Sequence, residues 1–130
     1  MKKPVSIEIA EALVIHDESL AEHGGREGVR DRALLESALA RPKNLLASSD
    51  KTVPLTRLAA AYALGIARNH PFIDGNKRTS LLVSFAFLEL NGIQIATPAE
   101  TIYLNFMRLA EGSFTERALA EWLEQNALAI

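Results

Sequence analysis

The chain has no cysteine, no long apolar run and no marked excess of charge of either sign. Without cysteine it has no disulfide, thiolate metal ligand or cysteine nucleophile, which fits a reducing cytoplasm. The most apolar stretch, residues 81–90, is much too short to span a bilayer. The net charge of -2 argues against a domain whose main task is to grip duplex DNA. We therefore expect a cytoplasmic protein without membrane attachment or direct nucleic acid binding.

The N-terminus carries positive charge but no signal-peptide core, because Glu8 and Glu11 interrupt the apolar residues that follow it. A length of 130 residues and a hydrophobic content of 48% are enough for one buried core and are typical of one domain. The sequence therefore predicts a single domain over residues 1–130.

Apolar residues recur with helical spacing in six segments, so the chain is predicted to be all-α with little or no sheet. The first helix is expected to end at Gly24-Gly25. The second is predicted to be capped by Asp31 and to end near Arg41-Pro42, because proline disfavours a helical residue before it. The stretch 43–53 is then predicted to be an exposed loop, either a flap that presents a target chain or an ordinary connector.

The third helix is predicted from a stripe between Leu55 and Ile66 and leads the chain to His70. The fourth begins near Asn76 and is apolar on nearly every side. It is therefore predicted to be the buried centre of a compact bundle of about six helices.

The last part of the chain carries clear start and stop signals. Asn91-Gly92 is predicted to end the fourth helix, and residues 93–95 suit a brief extended segment. Two capping-box patterns, Thr97-Pro98-Ala99-Glu100 and Ser113-Phe114-Thr115-Glu116, are predicted to start the fifth and sixth helices.

The run His70-Pro71-Phe72-Ile73-Asp74-Gly75-Asn76-Lys77-Arg78, between the third and fourth helices, holds an imidazole, a carboxylate, an amide and two cations. A helix that begins there directs free N–H groups and the positive end of its dipole toward the preceding loop. Cations oppose that dipole, so Lys77 and Arg78 favour a bound anion that offsets the repulsion. The local charge balance suits one polyphosphate rather than a nucleic acid backbone.

Each of these residues also has an ordinary explanation, as a turn, a solvated cation pair or a structural histidine. A P-loop is not predicted, because its upstream glycine is absent and Arg78 breaks the Lys-Ser/Thr pair. The spacing of His16, His23 and His70 does not match a zinc motif. His16 is instead expected to be a hydrogen-bonded packing residue.

The nine residues fill every fixed position of the pattern His-x-Phe-x-Asp/Glu-Gly-Asn-x-Arg, so the chain resembles the Fic/Doc family. It is most similar to the short death-on-curing (Doc) branch. That resemblance extends to Ile15-His16, Arg41-Pro42 and the segments 24–31, 34–39 and 87–92, and so covers most of the chain. It implies a Fic/Doc-like helical bundle.

The side chains suit phosphoryl or nucleotidyl transfer, in which positioning and charge stabilisation do most of the work. His70 is predicted to be the general base, and Asp74 a ligand of Mg²⁺. The amide of Asn76 and the fork of Arg78 are expected to hold phosphate oxygens. The predicted catalytic residues are His70, Asp74, Lys77 and Arg78, and the predicted residues for ATP and Mg²⁺ are Asp74, Gly75, Asn76, Lys77 and Arg78.

The choice between these reactions depends on Lys77. Fic enzymes that transfer AMP resemble one another in having glycine at this position and arginine at the position of Leu81, whereas both residues here match Doc. The resemblance then implies a reversed ATP whose γ-phosphoryl group passes to a threonine of elongation factor Tu, which arrests translation. Gly75 is the form common among AMP-transferring relatives and leaves AMP transfer as the alternative. A catalytically silent partner-binding module is a second alternative.

Regulated Fic proteins resemble one another in a self-blocking pattern, Ser/Thr-x-x-x-Glu-Gly/Asn, whose glutamate occupies the active site. Here Met107 stands at the hydroxyl position before Glu111-Gly112, and His23 stands there before Glu27-Gly28, so no intact copy exists. The resemblance therefore implies the toxin of a type II toxin-antitoxin system, restrained by a Phd-like antitoxin whose disordered tail folds onto it.

Overall fold

The computed structural model describes residues 3–130. Met1 and Lys2 belong to the N-terminal segment that is predicted to lack a signal peptide, and they lie outside the described residues. No helix between residues 3 and 130 combines the length and the apolar character that a membrane crossing requires.

The described residues form six helices and one small ribbon of two strands. The helices are α1 (Ile9–His23), α2 (Arg32–Ser48), α3 (Leu55–Asn69), α4 (Asn76–Leu90), α5 (Ala99–Glu111) and α6 (Glu116–Gln125). The strands β1 (Ile93–Ile95) and β2 (Ala127–Ala129) pair antiparallel, with Ile93 opposite Ala129. The prediction of a compact bundle of about six helices is confirmed, and β1 lies where a brief extended segment is predicted.

The helix at the centre of the bundle is α3, which packs against α2, α4, α5 and α6. Ten of its fifteen residues are buried, compared with seven of fifteen in α4, which the sequence analysis places at the centre. Small side chains explain the difference, because they let neighbouring helices approach from several sides. At Gly65 an added Cβ would lie 3.1 Å from both the Cα and the carbonyl oxygen of Ala38 in α2.

The predicted end of α2 near Arg41-Pro42 is wrong, because the helix continues to Ser48 with Pro42 inside it. Pro42 is buried, and Leu45 and Leu46 pack against the core one turn later. This tertiary packing outweighs the missing N–H of proline. Only residues 49–54 remain as a connector, so the predicted loop over 43–53 is also wrong in its first half.

Both predicted capping boxes lie near a helix start, but neither forms. Pro98 is the N-cap of α5, and its carbonyl oxygen accepts the first hydrogen bonds of that helix. The N–H groups of Ser113 and Phe114 donate to the carbonyl oxygen of Arg108 and so belong to the end of α5. The cap of α6 therefore falls two residues later, at Thr115, whose side chain accepts from the N–H of Ala118 at 3.0 Å.

The close contact of α2 and α3 makes Gly65 sensitive to added volume. Gly65→Ala gains about 1 kcal/mol of helix propensity, but its methyl group meets backbone atoms of Ala38 that have little freedom to move. We expect a net loss of about 1–2 kcal/mol in the free energy of unfolding, measured in urea. Gly65→Val should lose more. A more stable Gly65→Ala protein would contradict the close packing.

Candidate active site

A six-residue loop, His70 to Gly75, joins α3 to α4 and contains the first six residues of the nine-residue motif. His70 ends α3 in the left-handed conformation, with φ 49° and ψ 55°. It is the one non-glycine residue with positive φ in the part of the chain that the structure describes. Its side chain is exposed. A left-handed backbone is unfavourable for residues other than glycine, so surrounding contacts must stabilise it here.

Asn76 holds the loop from the first residue of α4. Its Oδ1 accepts from the backbone N–H of Phe72, and its Nδ2 donates to the carbonyl oxygen of Phe72, both at 2.9 Å. Asn76 is buried, and these bonds use its Oδ1 and one of the two N–H groups of Nδ2. The second N–H of Nδ2 is not used by them, and the predicted role of the side chain toward phosphate oxygens stays a prediction. Its backbone N–H, at the free start of the helix, still faces the loop.

The same amide constrains the His70 ring. Nδ2 of Asn76 lies 3.4 Å from Nδ1 of His70, a long contact. An amide nitrogen only donates, so the contact is a hydrogen bond only in the tautomer whose proton is on Nε2. That tautomer has no lone pair on Nε2. The ring must release this weak contact before Nε2 can accept a proton.

His16 packs against the loop on its buried side. It is a hydrogen-bonded packing residue, as predicted. Its ring stacks on Phe72 with centroids 3.8 Å apart and planes 8° from parallel. Its Nε2 lies 2.8 Å from the carbonyl oxygen of Asp74. Because a carbonyl only accepts, Nε2 carries the proton. His16 and Phe72 are both buried, so this stack is part of the core beneath the loop.

The carboxylate of Asp74 is exposed, and backbone amides fix its position. Oδ2 accepts from the N–H of Arg26 at 3.1 Å, and Oδ1 accepts from the N–H of Gly75 at 2.9 Å. The hydrogen bond from Arg26, followed by that from Gly75, lowers the pKa of Asp74 below its ordinary value of 3.8. Asp74 is therefore a carboxylate at neutral pH, with a lone pair left on each oxygen.

The two cations of the motif have different surroundings. Arg78 donates from Nη1 to Nε2 of His23 at 3.1 Å, and its guanidinium lies 5.6 Å from the ring centroid of Tyr103 in α5. A guanidinium only donates, so Nε2 of His23 accepts, and the nearby Glu22 does not form an ion pair through that atom. The side chain of Lys77 is exposed and has no hydrogen bond or ion pair with the residues that the structure describes.

These side chains surround one open pocket of about 400 Å³. It is lined by His70, Ile73, Asp74, Gly75, Asn76, Lys77, Arg78, Tyr103 and Met107. All six residues predicted to form the site therefore meet in one place. The pocket combines a carboxylate, two cations and the unpaired N–H groups at the start of α4, an arrangement suited to a phosphate chain with a divalent cation. Three larger pockets lie elsewhere among the described residues and contain none of these side chains.

Several residues that shape the pocket have no role assigned to them in the sequence analysis. Arg26 and Arg30 contact the loop from the connection between α1 and α2, and His23 and Tyr103 position Arg78. The family resemblance includes the segment 24–31 but assigns no role to its residues. For His23 and Tyr103 the sequence carries no signal, because their contacts with Arg78 depend on the packing of three helices.

Comparison with known proteins gives one family. A family model described as "Fic/DOC family" matches residues 6–88. The chain is 44% identical over 73 residues to Toxin Doc of Mycolicibacterium smegmatis, a match that covers 56% of each protein. It is 30% identical over 115 residues to Protein kinase doc of Escherichia phage P1, which covers 88% of this chain and 90% of the phage protein. The chain thus spans about half the length of the first of these curated relatives and nearly all of the second.

The lowered pKa of Asp74 predicts a pH-dependent contribution to stability. The contribution is present above pH 3.8, the ordinary value, and is lost as the pH falls through the lower pKa of the folded protein. Asp74→Asn cannot accept from both amides, so its urea midpoint should lie below that of the wild type at pH 7. This difference should shrink below pH 3.8. Asp50→Asn, on an exposed loop, is the control for the loss of one negative charge. A pH-independent difference for Asp74→Asn would contradict the assignment.

Proposed function

This chain belongs to the Fic/DOC family, and we propose that it is a Doc-type toxin that transfers the γ-phosphoryl group of ATP to a protein hydroxyl. The acceptor is a translation factor resembling elongation factor Tu, so the toxin acts in the cytoplasm and arrests translation. The two relatives are named a toxin and a protein kinase, which supports both parts of the proposal.

The observation that carries the proposal is the position of Lys77. It lies in the first turn of α4, lines the pocket and is exposed, and residues 3–130 provide it with no ionic partner. Glycine at this position would let a phosphate approach the backbone, whereas lysine fills that space and offers a point charge. Its ammonium is suited to a terminal phosphate group, as γ-phosphoryl transfer requires.

Gly75 has a structural explanation that does not depend on the reaction. It caps α4 with φ +78°, a conformation that other residues rarely adopt. An added Cβ would have room, in ordinary van der Waals contact 3.4 Å from Leu20 and 3.6 Å from His16, so the backbone conformation alone accounts for the glycine. A glycine here therefore follows from the turn, and it gives AMP transfer no specific support.

In the proposed reaction His70 takes the proton of the acceptor hydroxyl. The hydroxyl oxygen forms a bond to the γ-phosphorus as the bond from that phosphorus to the β–γ bridging oxygen breaks, and ADP leaves. Arg78 and the free N–H groups at the start of α4 stabilise the phosphate oxygens. Lys77 neutralises charge on the phosphoryl group that is transferred.

Asp74 is the residue suited to hold Mg²⁺. Its carboxylate is exposed at the pocket, and each oxygen accepts only one N–H, which leaves a lone pair on each for a cation. One carboxylate together with substrate phosphates is a common way for proteins to bind Mg²⁺. When bound there, the ion would offset the charge of the phosphates.

Labelled ATP distinguishes the two transfer reactions. Incubation of the protein with a bacterial lysate should place label on a protein from [γ-³²P]ATP and not from [α-³²P]ATP. His70→Ala should abolish labelling. Lys77→Ala should reduce it on the order of tenfold or more, since one charge-stabilising group is lost. The control Lys51→Ala, in the connector after α2, should label normally.

Transfer of the α label would contradict the proposal and favour AMP transfer. Full γ labelling by Lys77→Ala would show that Lys77 is not needed for γ-phosphoryl transfer.

The proposed partner is a Phd-like antitoxin whose tail covers the active site. The internal pattern of self-blocking relatives is broken at Met107, which lines the pocket with a thioether in place of the required hydroxyl. The activity must then be inhibited by another protein chain. A segment that folds onto the surface as it binds is suited to this task, because it can cover the whole pocket.

Expression without an antitoxin should therefore arrest the growth of a bacterial host. The measurement is optical density after induction, with His70→Ala at the same protein level as the control, which should grow normally. Normal growth of cells that accumulate the folded wild-type protein would contradict an unrestrained toxin.

A further inference from the structure

The backbone at His70 needs outside support for two reasons. Its left-handed conformation is unfavourable for a side chain other than glycine, and it lies at the C-terminal end of α3. The last carbonyl groups of a helix have no intrahelical partner and carry the negative end of the dipole. The carbonyl groups of Asn69 and His70 are among them.

Arg30 supplies this support. Its Nε donates to the carbonyl oxygen of His70 at 2.7 Å, and its Nη2 donates to that of Asn69 at 2.8 Å. One planar fork thus binds two consecutive carbonyl groups. It also places a cation at the C-terminal end of the helix, where the dipole favours it. Arg30 reaches this position from the connection between α1 and α2, 40 residues earlier in the chain.

The backbone around Arg30 continues the same contact along the loop. The N–H groups of Arg30 and Asp31 both donate to the carbonyl oxygen of Pro71, at 2.7 and 3.0 Å. Further along, the N–H of Ile73 donates to the carbonyl oxygen of Gly28 at 3.0 Å. Together with the fork, these bonds hold three consecutive carbonyl groups, those of residues 69, 70 and 71.

From this geometry we infer that Arg30 is a positioning residue, which sets the direction of the His70 imidazole by fixing the backbone from which it projects. The inference rests on the proposed function insofar as His70 is the base. Arg30 does not line the pocket, so its effect on the reaction would pass through the backbone that carries His70.

A lysine cannot reproduce this contact in full, because its ammonium is a point charge without the fixed fork. Arg30→Lys keeps the cation at the end of α3, whereas Arg30→Gln removes it. Arg32 offers a matched control, since its Nε contacts only Glu36 on the exposed face of α2. Arg32→Gln changes the net charge by the same amount two residues away.

The direct test is the NMR spectrum of the His70 ring in the isolated protein. The chain has three histidines, so the His70 signals can be assigned with a His70→Gln variant. Arg30→Gln should shift or broaden the His70 ring signals and leave those of His16 in place. Arg30→Lys should show a smaller change, and Arg32→Gln none.

In the phosphoryl-transfer assay Arg30→Gln should lower kcat by about tenfold or more, with the KM for ATP little changed. The reason is that a misplaced His70 imidazole impairs proton transfer more than it impairs nucleotide binding. Arg30→Lys should recover part of the loss.

A lower melting temperature with unchanged His70 signals would show a purely structural role and overturn the inference. The NMR experiment requires no reaction, so it decides the matter even if the wild type transfers no phosphate. If Arg30→Gln does not fold, Arg30→Lys provides the same comparison, and unchanged His70 signals in that variant would overturn the inference.

Discussion

The site depends on the pairing of backbone groups in a loop of six residues. The chain must turn there from the buried helix α3 into α4, and unpaired backbone groups at the buried residues Pro71 and Phe72 would be unfavourable. Asn76 bonds both polar groups of Phe72, and His16 bonds the carbonyl of Asp74. The connection between α1 and α2 bonds the carbonyl groups of His70 and Pro71 and the N–H of Ile73. The exposed side chains of the motif are thus carried by a backbone that has little freedom.

The same arrangement produces the charge of the pocket. The start of α4 presents N–H groups that have no partner in the helix, and the motif places Lys77 and Arg78 in that first turn. Both cations oppose the helix dipole, which lowers the stability of the protein without a bound ligand. Amide hydrogen bonds keep Asp74 ionised beside them. A phosphate chain with a divalent cation matches this distribution, and it would relieve the repulsion that the free protein contains.

The features that the sequence predicts correctly are those that depend on residues close together in the chain. The apolar stripe of α3, the start of α4 near Asn76 and the Asp31 cap all depend on residues within one or two helical turns, and each is confirmed. The end of α2 was missed because the burial of Pro42 depends on other helices. The contact of Arg30 with His70 and that of His23 with Arg78 span 40 and 55 residues. Only the folded chain brings these partners together.

If the protein transfers the γ-phosphoryl group, the phosphate chain of the nucleotide lies with its terminal group toward His70. A crystal structure with Mg²⁺ and a non-hydrolysable ATP analogue would show this orientation. We expect the γ-phosphorus to be the phosphorus nearest the His70 ring, Lys77 to contact the terminal phosphate and Asp74 to ligate the ion. A structure with the α-phosphorus nearest His70 would contradict it.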